Sequence, residues 1–249
     1  MKRTLITLIS IFLFLTTLQA AEILTDKTKL QELKIKNKVL QDPVLQIKAA
    51  IDRPESYVLK LMATSPRGSQ LLTAFLDKKT SELHIGSGYD KDGRPIVLPK
   101  DAKAIKEGVA FSYGTGSKEI YIVTDPECPY CTRLEKAIHG KLSDYTVHVI
   151  LFPLSFHKKA PAMVDLIMQG KDDAAKKEQF DQIMLKDSTA YSALIKDATK
   201  PYVYSEAVKP AMTKMNEAVL ELNVRGTPAI YDKNFNPLSQ DQLFKGPEK

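Results

Sequence analysis

The sequence predicts a two-domain protein of mixed α and β structure: a small, β-rich α+β domain followed by a larger α/β domain. Three observations predict this architecture. The 249 residues exceed the usual size of one domain. Short apolar runs bounded by turn residues follow one another through residues 57–98, as in an antiparallel sheet. A continuous apolar run at 120–123 then precedes helix-like and strand-like segments, which is typical of a βαβ core.

The first 20 residues have the pattern of a secretory signal peptide. Lys2 and Arg3 form a basic start, Leu5 to Leu18 is apolar, and cleavage is predicted after Ala20. The apolar run is short for a membrane span. We therefore exclude residues 1–20 from the fold and expect an exported protein located in the periplasm.

The charge pattern argues against nucleic-acid binding. The formal net charge is +6, and the lysines are interleaved with acidic residues instead of forming a block. Such a pattern is typical of a solvated surface. We therefore expect no nucleic-acid partner.

The first domain is predicted over residues 21–99. Apolar residues recur at helical intervals in 25–41, and Val44, Ile47 and Ile51 continue the pattern, which predicts amphipathic helices on both sides of Pro43. Four strands are predicted after them, at 57–63, 70–76, 82–86 and 94–98. So small a sheet has a thin core, and we expect a partner chain to complete it as a dimer.

A short linker helix and the second domain follow. Asp101 is predicted to cap a helix that ends at Gly108, so that residues 100–108 form the linker and 109–249 the second domain. The predicted elements of that domain are strands at 109–113, 119–124, 145–152 and 229–232, a helix at 132–139, and a largely helical insertion at 160–222, interrupted at Pro201 and Pro210.

The two cysteines are Cys128 and Cys131, at C-x-x-C spacing. A disulfide closing so short a loop stabilises a fold very little, so redox chemistry is the better explanation for the pair. Cys128 falls at the start of a predicted helix with Pro129 in its first turn, and the positive end of the helix dipole favours a thiolate there. Cys128 is therefore the candidate nucleophile, and Cys131 the resolving cysteine.

Metal and haem sites are poor alternatives for this pair. Tetrahedral zinc needs two further ligands, and the four histidines provide no second pair at metal-site spacing. Covalent haem attachment requires histidine after the second cysteine, where Thr132 stands. We expect no metal and no cofactor other than the redox-active Cys128–Cys131 disulfide.

A Thr227-Pro228 pair stands directly before the late strand. Proline is accepted there only at a strand start or in a tight turn, so a cis Thr227–Pro228 bond is the specific hypothesis. Without context, the trans form has the higher base rate.

These motifs together resemble the periplasmic disulfide isomerase family of DsbC and DsbG, and the DsbG branch more closely. The resemblance is carried by Asp125-Pro126 before Cys128-Pro129-Tyr130-Cys131, and by Thr227-Pro228-Ala229-Ile230-Tyr231. It implies a thioredoxin-like catalytic domain with a helical insertion, preceded by a cystatin-like dimerisation domain and a linker helix. In such a fold the cis proline lies against the cysteines, which supports the cis hypothesis.

The resemblance also implies roles and partners. Thr227 and Pro228 would hold the substrate backbone, and Pro129 and Tyr130 would tune the reduction potential. The protein would be a homodimer joined through the N-terminal domain and would act on misfolded or oxidised exported proteins. Because only a thiolate can attack a wrong disulfide, a membrane redox partner of the DsbD type would keep it reduced.

Disulfide isomerase or reductase is the first interpretation, and two alternatives stay open. Pro129 also occurs in net dithiol oxidases of the DsbA type, which would use a DsbB-type partner, although those usually carry valine where Thr227 stands. A dimeric periplasmic holdase chaperone, in which the cysteines are incidental, is the other.

Overall fold

The computed structural model of the protein describes residues 22–65 and 68–245. The predicted signal peptide, residues 1–20, lies outside them. Within the described ranges, no helix is long and apolar enough to cross a membrane. The described chain divides into two compact units: the first includes residues 22–65 and Leu72–Leu98, and the second includes residues 68–71 and 99–245.

The first unit is built on a five-stranded sheet in which neighbours follow chain order. Its strands are β1 (Ile23–Leu24), β2 (Leu45–Asp52), β3 (Ser56–Ser65), β4 (Gly68–Asp77) and β5 (Leu83–Ile85). Helix α1 (Lys27–Ile35) and a 3-10 turn (Val39–Gln41) lie between β1 and β2, and β6 (Gly88–Tyr89) pairs with β7 (Pro95–Ile96) after β5.

Apolar residues cover both faces of this first sheet. Leu30, Leu33 and Leu40, from α1 and the turn after it, pack on one face with buried strand residues that include Leu59 and Leu61. On the other face, a smaller cluster joins Ala49, Ile51, Val58 and Leu98. Asp26 begins α1 by accepting hydrogen bonds from the N–H groups of Thr28 and Lys29.

The prediction of a helix after Pro43 is wrong. Ile47 and Ile51 lie in strand β2, and Val44 directly precedes it. Apolar residues four apart fit a strand as well as a helix. Four residues are close to one helical turn, and they are also two repeats of a strand, so in either structure the two side chains lie on the same face. A β-bulge between Ile47 and Ala49 also changes the register. Ile47 and Ile51 consequently belong to the clusters on opposite faces of the sheet.

The second unit contains a second five-stranded sheet, ordered β12-β11-β9-β10-β8. Its strands are β8 (Phe111–Tyr113), β9 (Lys118–Thr124), β10 (Tyr145–Leu151), β11 (Ala229–Asp232) and β12 (Pro237–Leu238). Its helices are α2 (Ala102–Glu107), α3 (Pro129–Ile138), α4 (Ala160–Met168), α5 (Asp173–Met184), α6 (Lys209–Leu222) and α7 (Gln240–Lys245).

Strand β9 is the central strand of this sheet, as its continuous apolar run predicts. It pairs in parallel with β10 and antiparallel with β11, and its residues from Ile120 to Thr124 are all buried. Helix α3 follows after a four-residue turn, 125–128. The end of the most buried strand and the start of α3 therefore meet at one point, where the cysteines lie.

The predicted cap and end of the linker helix are confirmed in α2. Asp101 accepts from the N–H groups of Lys103 and Ala104, and Gly108 follows the last helical residue. Helix α2 packs against α6 within the second unit. A Cβ on Gly108 would stand 2.4 Å from the Cβ of Ala218, so this close packing requires glycine.

The insertion between β10 and β11 is less helical than predicted. Helices α4, α5 and α6 and a 3-10 turn (Ala190–Leu194) are present, but residues 195–208 form no helix. There the chain is held by the buried Asp165 carboxylate, which accepts from the Tyr202 hydroxyl and from Ser205. Pro210 lies in the first turn of α6 instead of interrupting a helix, because a first-turn residue needs no N–H.

Candidate functional site

Cys128 is the N-cap of helix α3, as predicted from the sequence. Its backbone is extended, with φ −75° and ψ 121°, and Pro129 begins the helix. The Cys128 carbonyl accepts the first helical hydrogen bond, from the N–H of Thr132 at 3.1 Å. The Cys128 sulfur therefore stands at the positive end of the α3 dipole, where a thiolate is stabilised.

The structure brings the second predicted motif to the same place. The Thr227–Pro228 peptide bond is cis, which confirms that prediction. The Cys128 thiol donates to the Thr227 carbonyl oxygen, with 3.7 Å between sulfur and oxygen. Two segments that are 99 residues apart in sequence thus meet at one sulfur atom.

Cys131 is the more deeply buried of the two free cysteines, with no exposed surface. Burial raises the pKa of its thiol to about 12, although a hydrogen bond from the N–H of Asp125, at 3.4 Å, acts in the opposite direction. The nearby hydroxyls of Thr124 and Thr227 also lower this pKa. Cys131 is consequently a protonated thiol at neutral pH.

The two residues between the cysteines lie on the surface. Pro129 and Tyr130 are exposed, and the Arg133 guanidinium lies 5.3 Å from the centre of the Tyr130 ring. Their roles in tuning the reduction potential stay a prediction.

Sequence reasoning missed the carboxylate of Asp125, which stands in the turn between β9 and α3. Its side chain is completely buried and accepts three hydrogen bonds: from the Glu127 N–H at 2.8 Å, from the Leu154 N–H at 2.7 Å, and from Nδ1 of His157 at 2.8 Å. No sequence pattern indicates the contact with His157, because 32 residues separate it from Asp125.

Glu127 ties the same turn to the next helix. Its Oε2 accepts from the N–H groups of Lys159 and Ala160, at 2.7 and 2.8 Å, at the start of α4. The loop 152–159 between β10 and α4 is therefore fastened to the cysteine-bearing turn by two carboxylates.

Comparison with known proteins agrees with this geometry. Residues 112–234 match the model of a family described as thioredoxin-like domain. This segment is a thioredoxin-like domain. Its fold, with a C-x-x-C pair at the start of α3, is that of a thiol–disulfide oxidoreductase.

Several solved structures resemble parts of the chain. A compact conformation of ScsC from Proteus mirabilis is 23% identical over 57% of this chain and 73% of that one, with a TM-score of 0.43. A periplasmic thioredoxin-like protein from Salmonella enterica serovar Typhimurium is 17% identical over 58% of this chain and 94% of its own, with a TM-score of 0.43. DsbG of Helicobacter pylori is 14% identical over 81% of this chain and 99% of its own, with a TM-score of 0.37. No curated protein sequence matches the chain.

A cleft of about 340 Å³ lies beside the cis proline of the thioredoxin-like domain. It is lined by Leu134 of α3, by Pro228 and β11, and by the segment from Pro237 to Gln240. An extended chain that passed Thr227 would have this cleft next to it.

A second buried carboxylate, Glu135, was also missed by sequence reasoning. It lies on the buried face of α3, one turn after Cys131, and is 3% exposed. Burial raises its pKa to about 7, while the positive charge of Lys177 opposes that change and Asp181 adds to it. Its Oε1 has no hydrogen-bond partner among the described residues.

Proposed function

We propose that the protein is a periplasmic thiol–disulfide oxidoreductase that acts as a disulfide isomerase or reductase on misfolded or oxidised exported proteins. The observation that carries this proposal is the Cys128 sulfur at the start of α3, in contact with the Thr227 carbonyl. A nucleophilic sulfur there is next to a backbone group that can orient an extended polypeptide. The predicted signal peptide supports the periplasmic location.

The first chemical step is the same for both activities. The Cys128 thiolate attacks one sulfur of a client disulfide, so that a bond forms between Cys128 and the client while the client S–S bond breaks. The other client sulfur leaves as a thiolate. The electrons of the broken bond leave with that sulfur, and no external oxidant or reductant is required.

The second step decides between reduction and isomerisation. In reduction, Cys131 loses its proton and attacks the Cys128 sulfur, the client sulfur leaves, and the Cys128–Cys131 disulfide forms while the client gains two electrons. In isomerisation, a client thiolate attacks the mixed disulfide instead. A new client disulfide then forms, Cys128 returns to a thiolate, and no net electrons move.

The burial of Cys131 supports isomerisation as the main activity. With a pKa of about 12, its thiol is rarely deprotonated at neutral pH, so its attack on the mixed disulfide is slow. A slow resolving step gives client thiolates time to attack first. Thr227 and the cleft beside Pro228 would hold the client during that time, through backbone and side-chain contacts respectively.

The proposal includes the partners expected from the sequence. The first unit would join two copies in a homodimer, and a membrane protein of the DsbD type would return the Cys128–Cys131 disulfide to the dithiol. The chemistry needs no metal or other cofactor, since sulfur atoms carry every electron transferred.

The test is the refolding of ribonuclease with scrambled disulfides, together with the reduction of insulin. We expect the wild-type protein to accelerate both, and Cys128→Ser to remove both activities. If reduced ribonuclease is oxidised while the scrambled form is not reactivated, the DsbA-type oxidase replaces this proposal. If the Cys128→Ser, Cys131→Ser double variant still prevents aggregation of cysteine-free clients, the protein has a holdase activity that does not depend on the cysteines.

A further inference from the structure

Asp125 contacts both cysteines through its backbone. Its N–H donates to the Cys131 sulfur at 3.4 Å, and its carbonyl accepts from the Cys128 N–H at 3.0 Å. The carboxylate of the same residue is fixed by Leu154 and His157 of the β10–α4 loop. The position of Asp125 therefore links that loop to the Cys131 sulfur and to the backbone of Cys128.

The charge of this carboxylate requires compensation. A buried carboxylate loses its hydration. Hydrogen bonds and a positively charged partner offset the free energy that this desolvation costs. Two backbone N–H groups supply neutral hydrogen bonds. The side chain of His157 supplies the third and is 17% exposed.

The other charged groups near Asp125 do not neutralise it. From the same turn, Glu127 is negative and is directed to the N-terminus of α4. From the insertion, Tyr204 has a pKa raised by burial and, in part, by the charges of Asp165 and Asp125. The neighbours of His157 in the loop, Lys158 and Lys159, are exposed. The imidazole is thus the basic side chain in contact with this carboxylate.

We propose that Asp125 and His157 form an imidazolium–carboxylate pair that positions the two cysteines and sets the reduction potential of the Cys128–Cys131 couple. In the proposed mechanism the reduced couple reacts as a thiolate at Cys128, three residues after Asp125, whereas the disulfide carries no charge. A carboxylate close to that thiolate disfavours the reduced form, and an imidazolium beside the carboxylate offsets this effect. The inference rests on the proposed function, because it concerns the same thiol pair.

The experiment measures the equilibrium of the dithiol and disulfide with glutathione at pH 7. Asp125→Asn keeps the shape and an acceptor oxygen but removes the negative charge, so we expect the equilibrium to move toward the dithiol by about tenfold, or about 30 mV for a two-electron couple. His157→Gln can keep an N–H donor to Asp125 but cannot be positive. We expect it to move the equilibrium toward the disulfide, by about tenfold in the opposite direction.

Opposite signs are the result that a merely structural role would not produce. If the pair only held the loop in place, the two variants would shift the equilibrium in the same direction or leave it unchanged, and either result overturns the inference. In the double variant we expect a value close to that of Asp125→Asn alone, because the imidazole then has no carboxylate to compensate.

Two controls separate this inference from the proposed function. Asp165→Asn alters another buried carboxylate with three hydrogen bonds in the same unit, and we expect it to lower stability without moving the glutathione equilibrium. If the wild-type protein formed no Cys128–Cys131 disulfide with glutathione, the proposed function would fail. A normal wild-type equilibrium with unshifted variants would overturn only the role of the pair.

Discussion

Helix α3 has one buried carboxylate in the turn before it and another on its buried face, and the two differ in their hydrogen bonds. Before the helix, Asp125 accepts three hydrogen bonds, one of them from an imidazole. On the buried face, Glu135 has an oxygen without a partner among the described residues, and its pKa is raised to about 7. Cys128 lies at the start of the helix, close in sequence to Asp125, and Cys131 lies on the buried face, one turn before Glu135.

The comparison shows that buried acids in this domain have unlike surroundings. Asp125 is surrounded by hydrogen-bond donors, whereas desolvation raises the pKa of Glu135 and of Cys131. The N-terminal end of α3 is thus suited to hold negative charge. The buried face favours protonated groups, which supports the proposed division of attacking and resolving roles between the cysteines.

Replacing each cysteine in turn with serine should have the largest effect on activity, because each replacement removes one of the two proposed roles. Cys128→Ser removes the attacking sulfur, so disulfide exchange should fall to the level without protein. Cys131→Ser keeps the attack but removes resolution, so the variant should accumulate mixed disulfides with clients. Non-reducing electrophoresis of acid-quenched mixtures distinguishes the two. Mixed disulfides formed by Cys128→Ser instead would show that the roles are reversed.

The pH dependence of resolution tests the buried face directly. Because the pKa of Cys131 is about 12, the thiolate fraction should rise about tenfold for each pH unit well below that value. The release of a small thiol from a preformed Cys128 mixed disulfide should therefore accelerate about tenfold per unit between pH 7 and pH 9. Cys131→Ser, which cannot resolve, is the control. A rate that levels off by pH 8 would contradict the assignment of Cys131 as a strongly protonated thiol.

Glu135→Gln tests the buried face of α3 through the pH dependence of the free energy of unfolding. The folded-state pKa of about 7 lies above the ordinary value of 4.5, so the wild-type free energy of unfolding should fall as pH rises from about 4.5 to about 7. The variant lacks this titration. It should equal the wild type near pH 4 and be more stable by about 3 kcal/mol above pH 7.5.

Urea unfolding of both proteins at pH 4.5 and pH 8 measures this difference. Glu178→Gln on the exposed surface of α5 is the matched control and should change stability little at either pH. If Glu135→Gln were less stable than the wild type at pH 8, the carboxylate would have a stabilising partner that the raised pKa does not indicate.

Much of the fold follows from local sequence signals. The buried strand β9, the Asp101 cap and the Cys128 N-cap were predicted, because each depends on a run or a cap that a few residues specify. The cis Thr227–Pro228 bond was predicted with the help of the resemblance, because the trans form has the higher base rate when the local sequence is taken alone. Strand β2 was not, because its apolar spacing fits a helix and a strand equally.

The missed parts of the site depend on contacts between distant segments. The sequence marks Asp125 only as part of a motif, and nothing near it indicates that His157 is its partner. The burial of Glu135 depends on how α3 packs against α5, which its own amphipathic pattern cannot specify. A charged residue between apolar ones in a short helix is ordinarily assigned to the solvated side.

Thr124→Val should give the smallest effect and tests the polar surroundings of Cys131. Thr124 ends β9 and is completely buried, and its hydroxyl has no hydrogen-bond partner among the described residues. Valine has nearly the same shape, so the variant should be as stable as the wild type or more stable by up to about 1 kcal/mol.

Thr146→Val is the matched control: its hydroxyl donates to the Gly116 carbonyl at 2.8 Å, and losing that bond should cost about 1 kcal/mol. The Thr124 hydroxyl lies close enough to the Cys131 thiol to lower its pKa without forming a regular hydrogen bond, so the first variant should resolve mixed disulfides somewhat more slowly. A loss of stability at Thr124 as large as that at Thr146 would mean that its hydroxyl is bonded, for example to a buried water molecule, and that the buried face of α3 is more polar than its protonated groups indicate.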